Sequence, residues 1–158
     1  MLDSSEGATL TEPNTLAMSF LSRLWTTLVA YFRAATSPKS SWGDLLNRFL
    51  THKSQFSATR VKHGAFLPKN LRLSVFFIEG LSGEQIWSLA ERCVAAHIYG
   101  RAELTIGAVS EIGLKVDLDN NPPRHANIIG WPAQKSAQKL YALKLAEKSA
   151  LVIKIKVV

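Results

Sequence analysis

Apolar and β-prone side chains dominate residues 71–78, and this run predicts a strand. Ser82 and Gln85 follow at the spacing of a capping box and predict the start of a helix. Apolar residues then recur at helical spacing to about His97. A second apolar run over residues 102–109 predicts another strand, so strand and helix patterns alternate in this part of the chain.

The last third of the chain continues this alternation. Residues 113–118 alternate apolar and polar side chains, which predicts a half-buried strand, and the short apolar run 126–129 predicts a buried one. Residues 133–148 consist largely of strong helix formers. Residues 151–158 alternate again and include lysines, a pattern typical of an edge strand.

From Leu71 the predicted order is strand, helix, strand, strand, strand, helix, strand. Merging or setting aside one middle strand gives βαββαβ, the split β-α-β or ferredoxin-like arrangement. We therefore expect an α+β fold: a ferredoxin-like or similar antiparallel sheet with helices on one face. Before this set, the apolar spacing from Asp44 to Thr51 predicts a short helix.

The pattern also divides the chain. Residues 1–14 are small, polar and acidic, which predicts a disordered tail. Residues 15–33 predict an amphipathic helix, and the Ser/Pro/Gly-rich residues 34–43 predict a linker. Residues 44–158 would then form a single α+β domain. The helix from Leu16 to Phe32 could dock on this domain, on a partner or, weakly, on a membrane surface.

Charge adds a partner class to this picture. The 158-residue chain carries a net charge of +7, and no acid interrupts the cations between Asp44 and Glu79. The chain after Pro132 contains six lysines and a single acidic residue, Glu147. Such basic stretches favour a polyanion as partner, either a nucleic acid or a phosphate ligand, or an acidic protein.

Several chemistries are disfavoured by composition. A single cysteine, Cys93, excludes an intramolecular disulfide and a Cys-rich zinc site, and it fits a cytoplasmic protein. The four histidines have no metal-binding spacing and no Gly-rich phosphate loop is present, so we expect no metal and no cofactor. The G-x-S-x-G nucleophile motif is also absent, although the sequence leaves a Ser-His-Asp arrangement open.

The candidate site lies between Asn120 and Pro132. Two consecutive prolines predict a rigid turn that presents Arg124 and His125 in a fixed direction. Pro132 is expected as the first residue of the next helix, whose N-terminus would favour an anion. We expect Trp131 to be largely buried, Arg124 to be largely exposed, and His125 to lie between them at the edge of a concavity. The predicted ligand-binding residues are Arg124, His125, Trp131 and Lys62.

Two functions remain open from the sequence. The leading one is a binding module without catalysis, whose basic surface engages a polyanion or an acidic protein. The alternative is an enzyme acting on a phosphate-bearing or nucleotide substrate, with His63 and His125 as the acid and base candidates. It requires the loop with Lys62 and His63 to meet the loop with Arg124 and His125; otherwise these are two unrelated surface loops.

Overall fold

The computed structural model describes residues 44–155. In this part of the chain, six strands form one sheet, accompanied by three α-helices and two short 3₁₀ turns. In chain order these are β1 (Leu45–Leu50), the turns Lys53–Gln55 and His63–Phe66, β2 (Leu73–Phe77), α1 (Gly83–Cys93), β3 (Gly100–Thr105), α2 (Ile106–Glu111), β4 (Lys115–Leu118), β5 (His125–Ile129), α3 (Lys135–Lys148) and β6 (Ala150–Ile153).

The sheet has the strand order β4-β5-β2-β1-β3-β6, and every neighbouring pair is antiparallel. The α+β class and the antiparallel sheet are therefore confirmed. None of the helices within residues 44–155 is long and apolar enough to cross a membrane. The expected tail, amphipathic helix and linker of residues 1–43 lie outside the described residues, as do residues 156–158, and the domain boundaries stay a prediction.

Each face of the sheet carries a hydrophobic core, and different helices cover the two faces. On the face covered by α3 (the α3 face), strand side chains pack with α2, α3 and the second 3₁₀ turn in the larger core, which includes Leu46, Leu73, Val75, Phe77, Ile128, Val109, Leu145 and Phe66. On the opposite face (the α1 face), a smaller core forms from Phe49, Phe76, Ile78, Ile86, Leu89, Ala90 and Ile98. Along β2 the buried side chains alternate between the two cores, as strand geometry requires.

The predicted helix from Asp44 to Thr51 is wrong, because this segment is the central strand β1. Leu46 and Leu50 enter the core on the α3 face, whereas Phe49 enters the core on the α1 face. A strand buried on both faces lacks the apolar-polar alternation of an exposed strand, and its apolar residues can therefore mimic helical spacing.

The ferredoxin-like arrangement with helices on one face is not confirmed. The unrecognised strand β1 lies between β2 and β3, so α1 connects two parallel strands across it. The helix α3 likewise connects two parallel strands, β5 and β6, and it crosses the sheet in the same direction as α1. The strands β5 and β6 run antiparallel to β2 and β3. Right-handed crossovers from oppositely directed strands place their helices on opposite faces.

Two element boundaries also differ from prediction. The expected strand 102–109 ends at Thr105, whose side chain accepts a hydrogen bond of 3.1 Å from the Ala108 N–H and caps α2. Pro132 precedes α3 by three residues, and its carbonyl accepts a hydrogen bond from the Gln138 side chain. By contrast, the predicted capping box of Ser82 with Gln85 is confirmed at the start of α1.

Candidate active site

The pairing of β2 with β5 brings Ser74 next to His125. Phe76 lies directly opposite His125 in this pair, so the His125 side chain shares the α1 face with Ser74 and Phe76. The Ser74 Oγ lies 2.7 Å from the His125 Nε2, which is hydrogen-bonding distance. Fifty-one positions of sequence separate these two residues, and the sheet register alone joins them.

Asp119 completes a hydrogen-bonded relay on the other side of the imidazole. Asp119 directly follows β4, whose last residue, Leu118, pairs with Ala126 of β5. Because the two strands are antiparallel, the next position, Asp119, lies opposite His125. Its Oδ1 lies 2.6 Å from the His125 Nδ1. The second oxygen, Oδ2, accepts a hydrogen bond of 2.8 Å from the Asn127 side-chain amide. The carboxylate is thus held from two directions.

These contacts set the protonation state of Asp119. Desolvation raises the pKa of the Asp119 carboxyl, but hydrogen bonds from His125, the Asn121 N–H and the Asn127 amide outweigh it, and the pKa falls below its usual value. An ionised carboxylate can only accept, so the His125 Nδ1 carries the proton that faces it. In the neutral ring, Nε2 is then the acceptor for the Ser74 hydroxyl, which is the arrangement needed for a general base.

The loop between β4 and β5 fixes this relay through its own backbone. Asn120 and Arg124 both have positive φ angles, 51° and 70°. The Asn120 side chain accepts a hydrogen bond of 2.8 Å from the Arg124 N–H, and its own N–H donates to the His125 carbonyl. The Arg124 carbonyl in turn accepts from the Phe77 N–H, which ties the loop to the end of β2.

The Ser74 and His125 side chains face a cavity of about 320 Å³ on the α1 face. Aromatic and aliphatic side chains form much of its wall, and the Phe76 ring contacts the imidazole edge-on at a centroid distance of 5.1 Å. The lining residues are Arg48, Phe49, Thr51, Ser74, Phe76, Cys93, Val94, Ala95, Pro122 and His125. A cavity that combines apolar side chains with a few converging polar groups is typical of small-molecule sites.

Arg48 is one of the residues that line this cavity. The register of β1 with β2 covers only the pairs of Leu46 with Phe77 and Asn47 with Phe76. Beyond them the Arg48 guanidinium bridges the strands, donating from Nη1 to the Ser74 carbonyl at 3.0 Å and from Nε to the Ala65 carbonyl at 3.3 Å. Burial lowers the pKa of the Arg48 guanidinium, yet an arginine stays charged in proteins.

The structure places the predicted site residues of the Pro-Pro loop in different environments. His125 lies at the cavity, as expected. Trp131 is buried with 5 % of its surface exposed, and its indole N–H donates to the Ile128 carbonyl at 2.9 Å, so it belongs to the core and not to a ligand surface. The expectation of an exposed Arg124 is wrong, because this residue is half-buried and its guanidinium donates to the carbonyls of Phe77 and Glu79.

The structure does not bring Lys62 and His63 to His125. His63 begins the second 3₁₀ turn, which packs on the α3 face. Lys62 and His63 line a separate groove of about 460 Å³ next to Leu143 and Glu147 of α3. The two imidazoles of the predicted acid–base pair therefore lie on opposite faces of the sheet.

Three residues of the site were missed from the sequence: Ser74, Asp119 and Arg48. Ser74 could have been noticed as the hydroxyl residue inside the apolar strand 71–78, and Arg48 as a lone cation among apolar residues. Asp119 precedes His125 by six residues across the Pro-Pro turn. None of these signals indicates that β2 pairs with β5, and that pairing assembles the site.

Comparisons of the chain with protein-family models, with curated proteins and with solved structures found no match. Function is therefore inferred from the geometry of the site. Within residues 44–155, no group of three or more His, Cys, Asp or Glu side chains is arranged to hold a metal ion.

Proposed function

We propose that this protein is a serine-type hydrolase that cleaves small esters, with Ser74 as nucleophile, His125 as general base and Asp119 as its orienting carboxylate. The observation that supports this proposal is the unbroken relay of 2.7 Å from Ser74 Oγ to His125 Nε2 and 2.6 Å from His125 Nδ1 to Asp119 Oδ1, beside a cavity. Such a constellation is defined by geometry and occurs on unrelated folds.

In the first half-reaction, the Ser74 oxygen attacks the carbonyl carbon of the ester while His125 Nε2 accepts the hydroxyl proton. Asp119 stabilises the imidazolium that forms and keeps the ring in its orientation. The tetrahedral intermediate then collapses and breaks the bond to the leaving alkoxide, which receives the proton from His125. The products are an alcohol and an acyl ester of Ser74.

In the second half-reaction, water attacks the acyl carbon while His125 Nε2 accepts a proton from that water. Collapse breaks the bond between the acyl carbon and the Ser74 oxygen, and His125 returns the proton to this oxygen. A carboxylic acid leaves and the hydroxyl is restored. Arg48, which lines the same cavity, adds a positive charge that favours the binding of a negatively charged substrate.

The cavity limits the substrate to a small molecule. Its volume of about 320 Å³ is at the lower end of the range for ligand sites. Part of the wall is apolar and could contact a short acyl chain or an aromatic ring of the substrate; it is formed by Phe49, Phe76 and Val94. Long polymers would have to bind with one terminal group in the cavity.

The test is acylation of the full-length chain by 4-nitrophenyl acetate and by a fluorophosphonate, with the modified peptide identified by mass spectrometry. We expect label on Ser74, and Ser74→Ala should lower the hydrolysis rate on the order of 10³–10⁶-fold. Ser136→Ala, at an exposed serine of α3, is the matched control. Label on Cys93, or equal rates for wild type and Ser74→Ala, would contradict the proposal.

We also propose, as a second function, polyanion binding by the groove that contains Arg60, Lys62 and His63. It is supported by these exposed cationic and imidazole groups beside α3, which carries four lysines. Affinity for mixed single-stranded nucleic acid should fall steeply between about 50 and 200 mM salt. Replacing Arg60 and Lys62 by Ala should flatten that dependence, whereas replacing Arg92 and Lys115 should not. Absence of binding at low salt would leave an acidic protein as the partner of this surface.

A further inference from the structure

We propose that the ligand of the Arg48 cavity carries a single carboxylate, which pairs with the Arg48 guanidinium while an apolar body contacts Phe49 and Phe76. As a statement about the substrate this rests on the proposed hydrolase function, and it identifies the substrates as esters of small carboxylate-bearing molecules. The juxtaposition that supports it is a half-buried arginine that lines the same cavity as the Ser74–His125 pair.

Arg48 is positioned as a preformed binding group. Two of its five N–H donors are engaged by the carbonyls of Ser74 and Ala65, on different segments of the chain. These bonds fix the plane of the guanidinium, because each carbonyl belongs to an ordered element of the core. A fixed guanidinium loses little conformational entropy when it binds a carboxylate, which favours a two-pronged contact from its remaining donors.

The charge of Arg48 is not balanced from within the cavity. No Asp or Glu is among the residues that line it, and within residues 44–155 no carboxylate forms an ion pair with Arg48. Asp119 lies behind the imidazole and is engaged by His125 and Asn127. A partly desolvated cation without a counter-ion attracts an anionic ligand more strongly than a fully solvated cation does.

A monoanion matches the cavity better than a dianion. Arg48 is the one Lys or Arg among the residues that line this cavity, and Phe49 and Phe76 form apolar parts of its wall. A phosphate monoester would bring a second negative charge into the cavity, where no second Lys or Arg could pair with it. The free energy of desolvating this second charge would exceed the added attraction to Arg48. A carboxylate on an aromatic or short aliphatic body fits both the charge and the wall.

The binding test compares benzoate with its neutral analogue benzyl alcohol on the full-length chain, by NMR titration. We expect benzoate to bind roughly 10- to 100-fold more tightly, the range for charge-assisted hydrogen bonds, with shifts centred on Thr51, Ser74 and His125. Arg48→Met should remove this difference, Arg48→Lys should retain part of it, and Arg92→Met is the matched control. Equal affinities in the wild type would overturn the inference even if Arg48→Met fails to fold.

The kinetic test uses 4-acetoxybenzoate and its neutral analogue 4-acetoxybenzamide, which release the same acyl group. We expect kcat/KM to be roughly 10- to 100-fold higher for the anionic ester, and Arg48→Lys to narrow that ratio. Hydrolysis of both esters at equal rates, abolished by Ser74→Ala, would overturn the carboxylate inference and leave the hydrolase function standing. Benzoate binding that depends on Arg48, without hydrolysis of either ester, would support the carboxylate inference and contradict the hydrolase function.

Discussion

The guanidinium of Arg124 donates a hydrogen bond of 3.1 Å to the main-chain carbonyl of Glu79, 45 positions earlier in the chain. A longer bond of 3.4 Å reaches the Phe77 carbonyl. Because β2 carries Ser74 and the loop before Arg124 begins at Asp119, these bonds hold the strand with Ser74 and the loop with Asp119 together. Arg124 therefore ties the loop after β4 to the end of β2, while its predicted role in ligand binding stays a prediction.

Arg124 also allows a prediction that separates its side chain from its backbone. Arg124→Ala should destabilise the fold by about 1–2 kcal/mol through lost hydrogen bonds. Arg124→Gly removes the same side chain but tolerates the φ of 70° without steric cost, so it should be more stable than Arg124→Ala by up to about 1 kcal/mol. Urea denaturation of both variants measures the difference. An Ala variant as stable as the Gly variant would show that this backbone position carries no strain.

Trp131 is the anchor of the corner between β5 and α3. Trp131→Ala should cost about 3–5 kcal/mol, because it leaves a large cavity in the core on the α3 face. Trp131→Phe keeps most of the ring volume but loses the hydrogen bond to the Ile128 carbonyl, and it should cost less than Trp131→Ala. The two free energies of unfolding separate packing from hydrogen bonding. Equal costs for the two variants would mean that the hydrogen bond, and not the packing, dominates.

Gly100 permits the close pairing of β3 with β6. A Cβ atom at this position would lie 2.9 Å from the Val152 carbonyl oxygen, a main-chain atom that cannot rotate away. Gly100→Ala should therefore destabilise the sheet by about 1–3 kcal/mol, as overpacking does. Gly83→Ala is the matched control, since no atom lies within 4 Å of a Cβ there. Thermal unfolding of both variants measures the contrast, and similar melting temperatures would contradict it.

The elements that the sequence predicted well are those with local causes. The capping box at Ser82 depends on residues three positions apart, and the burial of Trp131 follows from its size. The strand β1 was missed because its environment on both faces comes from distant segments. The site was missed for the same reason, since Ser74 meets His125 only through the β2–β5 register. Among the residues of the candidate site, His125 was predicted from the sequence, because a rigid loop lies in front of it.

Asp119 gives the protein a predictable response to acid. Because hydrogen bonds lower the pKa of its carboxyl in the folded state, its contribution to stability is complete above the ordinary Asp pKa of about 4 and is lost as the pH falls through the lower folded value. The stability difference between wild type and Asp119→Asn should therefore shrink as the pH falls below about 4. With 35 % of this side chain exposed, solvent screening keeps the difference small.

The same substitution distinguishes catalysis from stability. Asp119→Asn should reduce ester hydrolysis on the order of 10²–10⁴-fold at pH 7, because the carboxylate no longer fixes the imidazole tautomer. Asp117→Asn, which breaks the exposed ion pair with Arg72, is the matched control and should leave hydrolysis within about twofold. Urea denaturation between pH 3 and 7 and rates with 4-nitrophenyl acetate measure the two effects separately. A large loss of stability with unchanged hydrolysis would assign Asp119 to the architecture of the loop alone.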